Sequence, residues 1–374
     1  MSVQGPEAAA GGLSVRLRKR LRDERGTALL LDVQFTASSG FNILFGASGA
    51  GKTTLLDCIA GLLTPEEGHI TVGGSVLYSS EQGTNLPPRR REVGYLLQSL
   101  ALFPHMTVQQ NVEYGLHALT AAERERRVGE VLSGFRIVHL ARRHPGEISG
   151  GERQRAALAR TLVTHPRVLL LDEPLSALDA ATKSQIVADL RAWNNRNPIP
   201  VLYVTHSRQE VFALAEQVLV LEAGAILARG TPQEALDHPR SERVAQLVGF
   251  ENIFDARVTE LHPTLGTMAC QIEGSSLELE VPLVAAEKSS LIRLGLRAGD
   301  ILLAIAPPQG LSARNIVPGN IVSLQQTDVT VEARVCCGPT FVVHLTPGAR
   351  DALELRPGRQ VWLVVKTYSC HVLQ

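Results

Sequence analysis

The chain is poor in several things, and each absence closes off a class of protein. Aromatic residues make up 4% of the 374 positions, and none precedes Phe35. Charge has no bias: 37 basic residues stand against 37 acidic ones, without the basic excess of a nucleic-acid-binding domain, so no nucleic-acid partner is expected. No apolar run reaches the roughly 20 residues of a membrane-spanning helix, and residues 1–12 are small and polar with no signal-peptide core. They read as a disordered leader on a chain that stays in the cytoplasm. The five cysteines, Cys58, Cys270, Cys336, Cys337 and Cys370, include no C-x-x-C pair and no histidine at metal-ligand spacing, which points to reduced, packing thiols. The one basic cluster, Arg16, Arg18, Lys19, Arg20 and Arg22, is followed at once by Asp23 and Glu24 and reads as a solvated strand face.

What is present begins with a phosphate cradle. Gly46, Ala47, Ser48, Gly49, Ala50, Gly51, Lys52, Thr53 and Thr54 follow a short apolar strand, Phe41–Phe45, and open into the apolar helix start Leu55–Ala60. In G-x-x-x-x-G-K-T the glycines turn backbone N–H groups toward phosphate oxygens, and the helix N-terminus adds its positive end. Lys52 reaches the β- and γ-phosphates, and Thr53 offers its hydroxyl to Mg²⁺. With 44% hydrophobic residues the chain can bury a substantial core, and its length suggests two or three domains.

Further along, short strands end in functional groups. Val93–Leu97 ends in Gln98, the continuous apolar run Val168–Leu171 ends in Asp172 and Glu173, and Val201–Thr205 ends in His206. Runs of this kind suit parallel strands buried on both faces, and open α/β sheets bind ligands off their strand carboxyl ends. Those residues are therefore expected on one sheet edge around a nucleotide. Between them, residues about 100–150 carry helical periodicity, and Ser149, Gly150 and Gly151 open the next helix as a second anion site. Each residue alone has a bland reading, as a helix cap or a surface group; their order behind a phosphate loop favours chemistry.

From Leu13 to Gly249 the chain resembles the ATP-binding-cassette ATPases. The most specific piece is Ile148-Ser149-Gly150-Gly151-Glu152, close to the family's L-S-G-G-Q, with Ser176-Ala177-Leu178-Asp179 matching the D-loop and His206 the switch histidine. The resemblance implies a head-to-tail dimer of two copies, with ATP between the phosphate loop of one and Ser149-Gly150-Gly151 of the other. It departs from the family in lacking an aromatic ahead of the phosphate loop to stack on adenine. Phosphoryl transfer assigns the roles: Thr53 and Asp172 hold Mg²⁺, Glu173 takes the proton of the attacking water, and Gln98 (also near the metal) and His206 orient water and γ-phosphate.

Past Gly249 the chain turns to short β-rich runs between Gly and Pro. The expected fold is thus an α/β P-loop nucleotide-binding domain with a helical insertion, followed by an all-β, barrel-like, OB-like region. Matches between Asn252-Ile253 and Asn315-Ile316, and between Leu296–Gly299 and Leu355–Gly358, suggest two tandem units, 250–308 and 309–374. In that alignment Arg314 matches Glu251 and Lys366 matches Ala306. The second unit resembles a molybdate-binding module, which implies a tetrahedral dianion held by Ser312, Arg314, Asn315, Lys366 and Ser369; a barrel without ligand is the alternative. Taken together the chain resembles the ATPase subunits of bacterial molybdate importers, lying peripherally on the cytoplasmic face of the membrane. Separate transmembrane permease subunits would dock near Gln98 and Leu102–Met106, fed by an external oxyanion-binding protein. Importer ATPases for sulfate, polyamines or sugars, and soluble cassette ATPases, are the other readings.

Overall fold

The computed structural model describes residues 11–22, 28–237, 239 and 241–373. Residues 1–10 of the expected leader, and Asp23 and Glu24, lie outside them. Chain contacts divide the protein after Pro232, into units of residues 1–232 and 233–374, where the sequence placed the cassette boundary near Gly249.

The first unit opens with β1 (Leu13–Arg22), β2 (Ala28–Ala37), β3 (Gly40–Phe45), α1 (Lys52–Ala60), β4 (Glu67–Val72), β5 (Ser75–Ser79), β6 (Thr84–Asn85) and β7 (Val93–Leu96). Helices α2 (Val108–Glu113), α3 (Ala121–Gly134) and α4 (Gly150–Leu162) follow. Then come β8 (Val168–Asp172), α5 (Ala180–Arg196), β9 (Pro200–Val204), α6 (Arg208–Leu214), β10 (Gln217–Glu222) and β11 (Ala225–Gly230).

Two sheets share one core. The antiparallel sheet, ordered β2-β1-β4-β5-β6, is half exposed: Leu13, Val15 and Leu17 of β1 are buried while Arg16 between them faces water, the alternation that a one-sided sheet requires. The second sheet runs β11-β10-β3-β9-β8-β7, parallel from β10 to β7. Every residue of β3, β8 and β9 is buried, so their unbroken apolar runs are those of strands covered on both faces. Helices α2 to α4 form the insertion, and α4 is fastened to α5 by a buried ion pair, Arg155 with Asp189, to which Arg136 adds a second guanidinium.

The second unit contains α7 from its second residue (Pro232–Leu236), α8 (Glu242–Leu247), β12 (Asn252–His262), β13 (Thr267–Ile272), β14 (Glu278–Pro282), β15 (Leu291–Leu296) and β16 (Leu302–Ala304). It continues with β17 (Asn315–Thr327), β18 (Thr330–Cys336), β19 (Thr340–Leu345), α9 (Pro347–Ala352), β20 (Gln360–Val365) and β21 (His371–Leu373). Its two five-stranded sheets are ordered β14-β13-β12-β15-β21 and β16-β20-β17-β18-β19.

That order corrects the expectation of two tandem units. The last strand of each repeat leaves its own half: β16 pairs with β20, and β21 pairs with β15. One buried cluster takes side chains from both halves, including Ala256, Leu294, Val317 and Leu363. Two asparagines fasten the exchange. Asn252 bonds both the N–H and the C=O of Val342, at 2.7 and 2.8 Å, and Asn315 does the same to Glu280, at 2.7 and 2.9 Å. Each opens the central strand of one sheet and grips the edge strand of the other.

Strand register also corrects the repeat alignment beyond these asparagines. Asn252 faces Leu296, and Asn315 faces Val365. Lys366 is therefore the counterpart of Arg297, not of Ala306, and Leu355–Gly358 has no partner at Leu296–Gly299. Both cations precede a single 3-10 turn, Ala298–Asp300 in one half and Thr367–Ser369 in the other.

Candidate functional site

The loop between β3 and α1 is held in a shape that glycine alone permits at two points. A Cβ on Gly46 would lie 2.1 Å from the Leu221 carbonyl oxygen, and Gly51 has φ of 101°. Lys52 is buried, and its ammonium donates to the Gly46 and Ala47 carbonyls at 2.9 and 2.8 Å. Burial lowers its pKa, while Glu173 and Asp172 oppose that shift.

One residue along, the Thr53 hydroxyl donates to Asp172 Oδ2 at 2.8 Å, joining the start of α1 to the end of β8. Burial raises the pKa of Asp172, and the Thr53 hydrogen bond works against the rise. Glu173 stands at φ of 44°, a left-handed conformation that costs a non-glycine residue about 1–3 kcal/mol unless its surroundings enforce it. Its N–H donates to Val204 O of the neighbouring strand at 3.1 Å. The turn aims its carboxylate along the sheet edge, where Oε1 lies 3.5 Å from His206 Nδ1.

Sheet order explains the gathering. Strands β3, β9, β8 and β7 are parallel neighbours, so the phosphate loop, His206, Asp172 with Glu173, and Gln98 follow one another along a single edge. The structure joins Thr53 to Asp172 and Glu173 to His206 by contact, with Lys52 near enough for the charges of Glu173 and Asp172 to act on it. Gln98 is exposed two residues past β7, at the place expected for it; among the described residues no hydrogen bond joins it to the others.

Oxygen donors and cradle both suit a magnesium nucleotide. The Thr53 hydroxyl and the Asp172 carboxylate are the hard ligands Mg²⁺ prefers, and Lys52 with the loop N–H groups suits phosphate.

Ser149, Gly150 and Gly151 form a separate place. Ser149 caps α4: its hydroxyl accepts from Glu152 N at 3.3 Å and donates to Glu152 Oε2 at 2.8 Å. Glu152, the departure from the family pattern, thus completes a capping box. The same groove is lined by Ala177, Leu178 and Asp179, and Asp179 caps α5 through Ala181 N and Thr182 N.

In the second unit the five expected oxyanion residues separate into two kinds. Asn315 is buried and its amide is spent on Glu280, so it is a structural clamp rather than a ligand. Ser312, Arg314 and Lys366 are exposed and Ser369 is half-buried. Arg314 and Lys366 flank the Asn315–Val365 rung, so two cations stand side by side, and among the described residues neither has an ion pair. The other half answers differently at the matching rung: Glu251 stands opposite Arg297, and its carboxylate accepts from Ala298 N at 2.8 Å. One half carries an acid where the other has a second cation.

Comparison with known proteins places this geometry. The molybdenum import ATP-binding protein ModC of Rhizobium meliloti (strain 1021) is 38% identical over 366 residues, 96% of this chain and 99% of the relative. The chain belongs to this family of ABC importer ATPases. Another member, from Paramagnetospirillum magneticum (strain ATCC 700264 / AMB-1), is 36% identical over 96% of the chain and 97% of the relative. The ABC transporter model matches residues 30–176 and the TOBE domain model residues 311–372. The solved dimeric structure of MJ0796, a bacterial ABC transporter cassette, superposes with a TM-score of 0.52 at 26% identity, covering 59% of this chain and 98% of that one.

One contact beside Gln98 carries no mark in the sequence. Arg160 of α4 donates to the carbonyls of Leu100 and Ala101, at 2.8 and 2.7 Å, just after Gln98. Both residues have positive φ, and the guanidinium lies 5.5 Å from the centroid of the Phe103 ring. An arginine within an amphipathic helix carries no sequence signal for such a contact.

Proposed function

We propose that the chain is the ATP-hydrolysing subunit of a molybdate importer. The observation that carries the hydrolytic half is the contact chain Thr53–Asp172 and Glu173–His206 beside a buried Lys52. The substrate is taken from relatives named for molybdenum import that align over nearly the whole chain.

In this reading Lys52 holds the β- and γ-phosphate oxygens while Thr53 and Asp172 hold Mg²⁺, which would neutralise phosphate charge. Glu173 accepts the proton from the attacking water, and His206 and Gln98 orient that water and the γ-phosphate. Ser149, Gly150 and Gly151 serve the nucleotide of a second copy, head to tail. Permease subunits dock by Gln98 and Leu102–Met106 on the cytoplasmic face of the membrane, with an oxyanion-binding protein on the far side. Arg314 and Lys366, with Ser312 and Ser369, offer molybdate a regulatory seat, supported by two adjacent unpaired cations.

Replacing Glu173 with Gln tests the hydrolytic assignment, since it keeps shape but removes the base. ATP binding should survive, turnover should fall by about 10²–10⁴-fold, and the nucleotide-bound dimer should persist in size-exclusion chromatography. Undiminished hydrolysis would reject the role.

A further inference from the structure

We propose that Glu210 is a positioning residue for His206 and couples it to the helix that follows Asp179. The proposal rests on the reading of His206 as a group that meets the nucleotide.

His206 has little of its own to hold it. Its side chain is 67% exposed, with the Glu173 carboxylate 3.5 Å away. One carboxylate fixes the residues before it and, through the Thr205 hydroxyl, reaches the one after it. Glu210 is 6% exposed, and its Oε2 accepts the Tyr203 hydroxyl and the Thr205 hydroxyl, each at 2.8 Å. With the Thr205 proton committed to Glu210, its oxygen is free to accept from Ser207 N at 3.0 Å. Ser207 in turn caps the N–H of Glu210 at 3.4 Å. The loop 205–207 is thereby closed around His206, whose ring is aimed by its backbone.

Charge makes this more than a cap. Two hydroxyls need only an acceptor, which a neutral amide would supply, yet the residue is a buried acid. Its other oxygen lies 3.7 Å from Lys183 Nζ, one turn into α5. That helix is capped by Asp179, in the segment Ala177–Asp179 that lines the groove beside Ser149. A shift of α5 therefore pulls on the carboxylate that fixes the histidine loop. Tyr203 stays a proton donor throughout, because burial and Glu210 push its phenol well above the usual range.

The test is a double-mutant cycle in ATP hydrolysis by the full chain, with Glu210→Ala, Glu210→Gln, Thr205→Val and His206→Ala. Glu210→Ala should lower kcat by about 10–100-fold, the scale of a misplaced catalytic group, with KM for ATP within about twofold. Glu210→Gln keeps an acceptor but loses the charge facing Lys183, so it should recover only part of that loss; Lys183→Met should show the same residual, His206-dependent deficit, and wild-type kcat in both would overturn the coupling to α5. In the His206→Ala background, Glu210→Ala should have no further effect. Should Glu210→Ala fail to fold, Thr205→Val removes only the hydroxyl beside His206 and should lower kcat in the same His206-dependent way. Losses that multiply with His206→Ala would overturn the proposal, as would wild-type kcat in Glu210→Ala and Thr205→Val while His206→Ala is impaired. Wild-type turnover in His206→Ala would instead remove the reading beneath it, and the proposal with it.

Discussion

Arg91 offers the most quantitative check on how the nucleotide-binding helix is held. Its side chain is 1% exposed, and among the described residues no carboxylate pairs with it. Instead its guanidinium makes four hydrogen bonds of 2.7–2.8 Å, to the carbonyls of Leu86, Cys58 and Ile59 and to Asn85 Oδ1. Two of these acceptors belong to the last turn of α1, whose first residues are Lys52 and Thr53, so a buried cation meets the negative end of the helix dipole. Arg91→Met would strand four oxygens at roughly 1–3 kcal/mol each, or about 4–12 in all. It would also relieve the burial of the guanidinium, worth several kcal/mol and visible as a lowered pKa. The net should be about 3–5 kcal/mol of destabilisation, the scale of removing one member of a buried charged contact. At about 2–4 °C per kcal/mol for a domain of this size, the melting temperature of the full chain should drop by roughly 6–20 °C, with Arg91→Lys intermediate. A drop under about 2 °C would refute this account of α1.

The remaining expectations are briefer. Cys336 is exposed while Cys58, Cys270 and Cys370 are buried, so a thiol reagent should modify one cysteine rapidly and those three only on unfolding. Burial pushes Cys58 and Cys270 to about 11 and Cys370 to about 12 from 9.0. The unfolded chain then binds fewer protons between pH 9 and those values, and stability should fall as pH rises through 9; a thermal scan flat from pH 8 to 11 would contradict it. Asp172 is an acid with a raised pKa, so the ionised form proposed to hold Mg²⁺ is lost on acidification sooner than for an ordinary aspartate, and Mg²⁺-dependent nucleotide binding should weaken correspondingly early in a pH series. Lys366→Ala should weaken molybdate binding to the full chain by about 1–3 kcal/mol in calorimetry, whereas Ala306→Ser, away from the paired rung, should leave it unchanged.

Legibility in the sequence followed locality. Asp172, Glu173 and His206 could be placed because each ends an unbroken apolar run, and parallel strands carry such ends to one edge. The alternation at Leu13, Val15 and Leu17 named its buried face just as directly. Arg91 was invisible: within Pro88-Arg89-Arg90-Arg91 nothing separates the one buried guanidinium from its neighbours, because its four partners lie outside that run, at Asn85 and Leu86 and at Cys58 and Ile59. The same cause misplaced the second unit. Asn252 and Asn315 pair as repeats on local pattern alone, yet that pattern offers Asn315 as a ligand because its partner Glu280 lies 35 residues away in the other half. The exchanged strands β16 and β21 pair with β20 and β15 across 58 to 80 positions, beyond the reach of local pattern, as are the β12–β15 and β17–β20 registers that align Lys366 with Arg297.

The central claim is that hydrolysis at this edge drives molybdate across a membrane. It is tested most directly by purifying the chain with its membrane subunits, reconstituting them in vesicles with the external binding protein, and measuring ATP hydrolysis and uptake for molybdate, tungstate, sulfate and phosphate. The account predicts hydrolysis stimulated by molybdate and tungstate, matching uptake, and loss of both in Glu173→Gln. Stimulation by sulfate alone, or uptake that persists in Glu173→Gln, would contradict it.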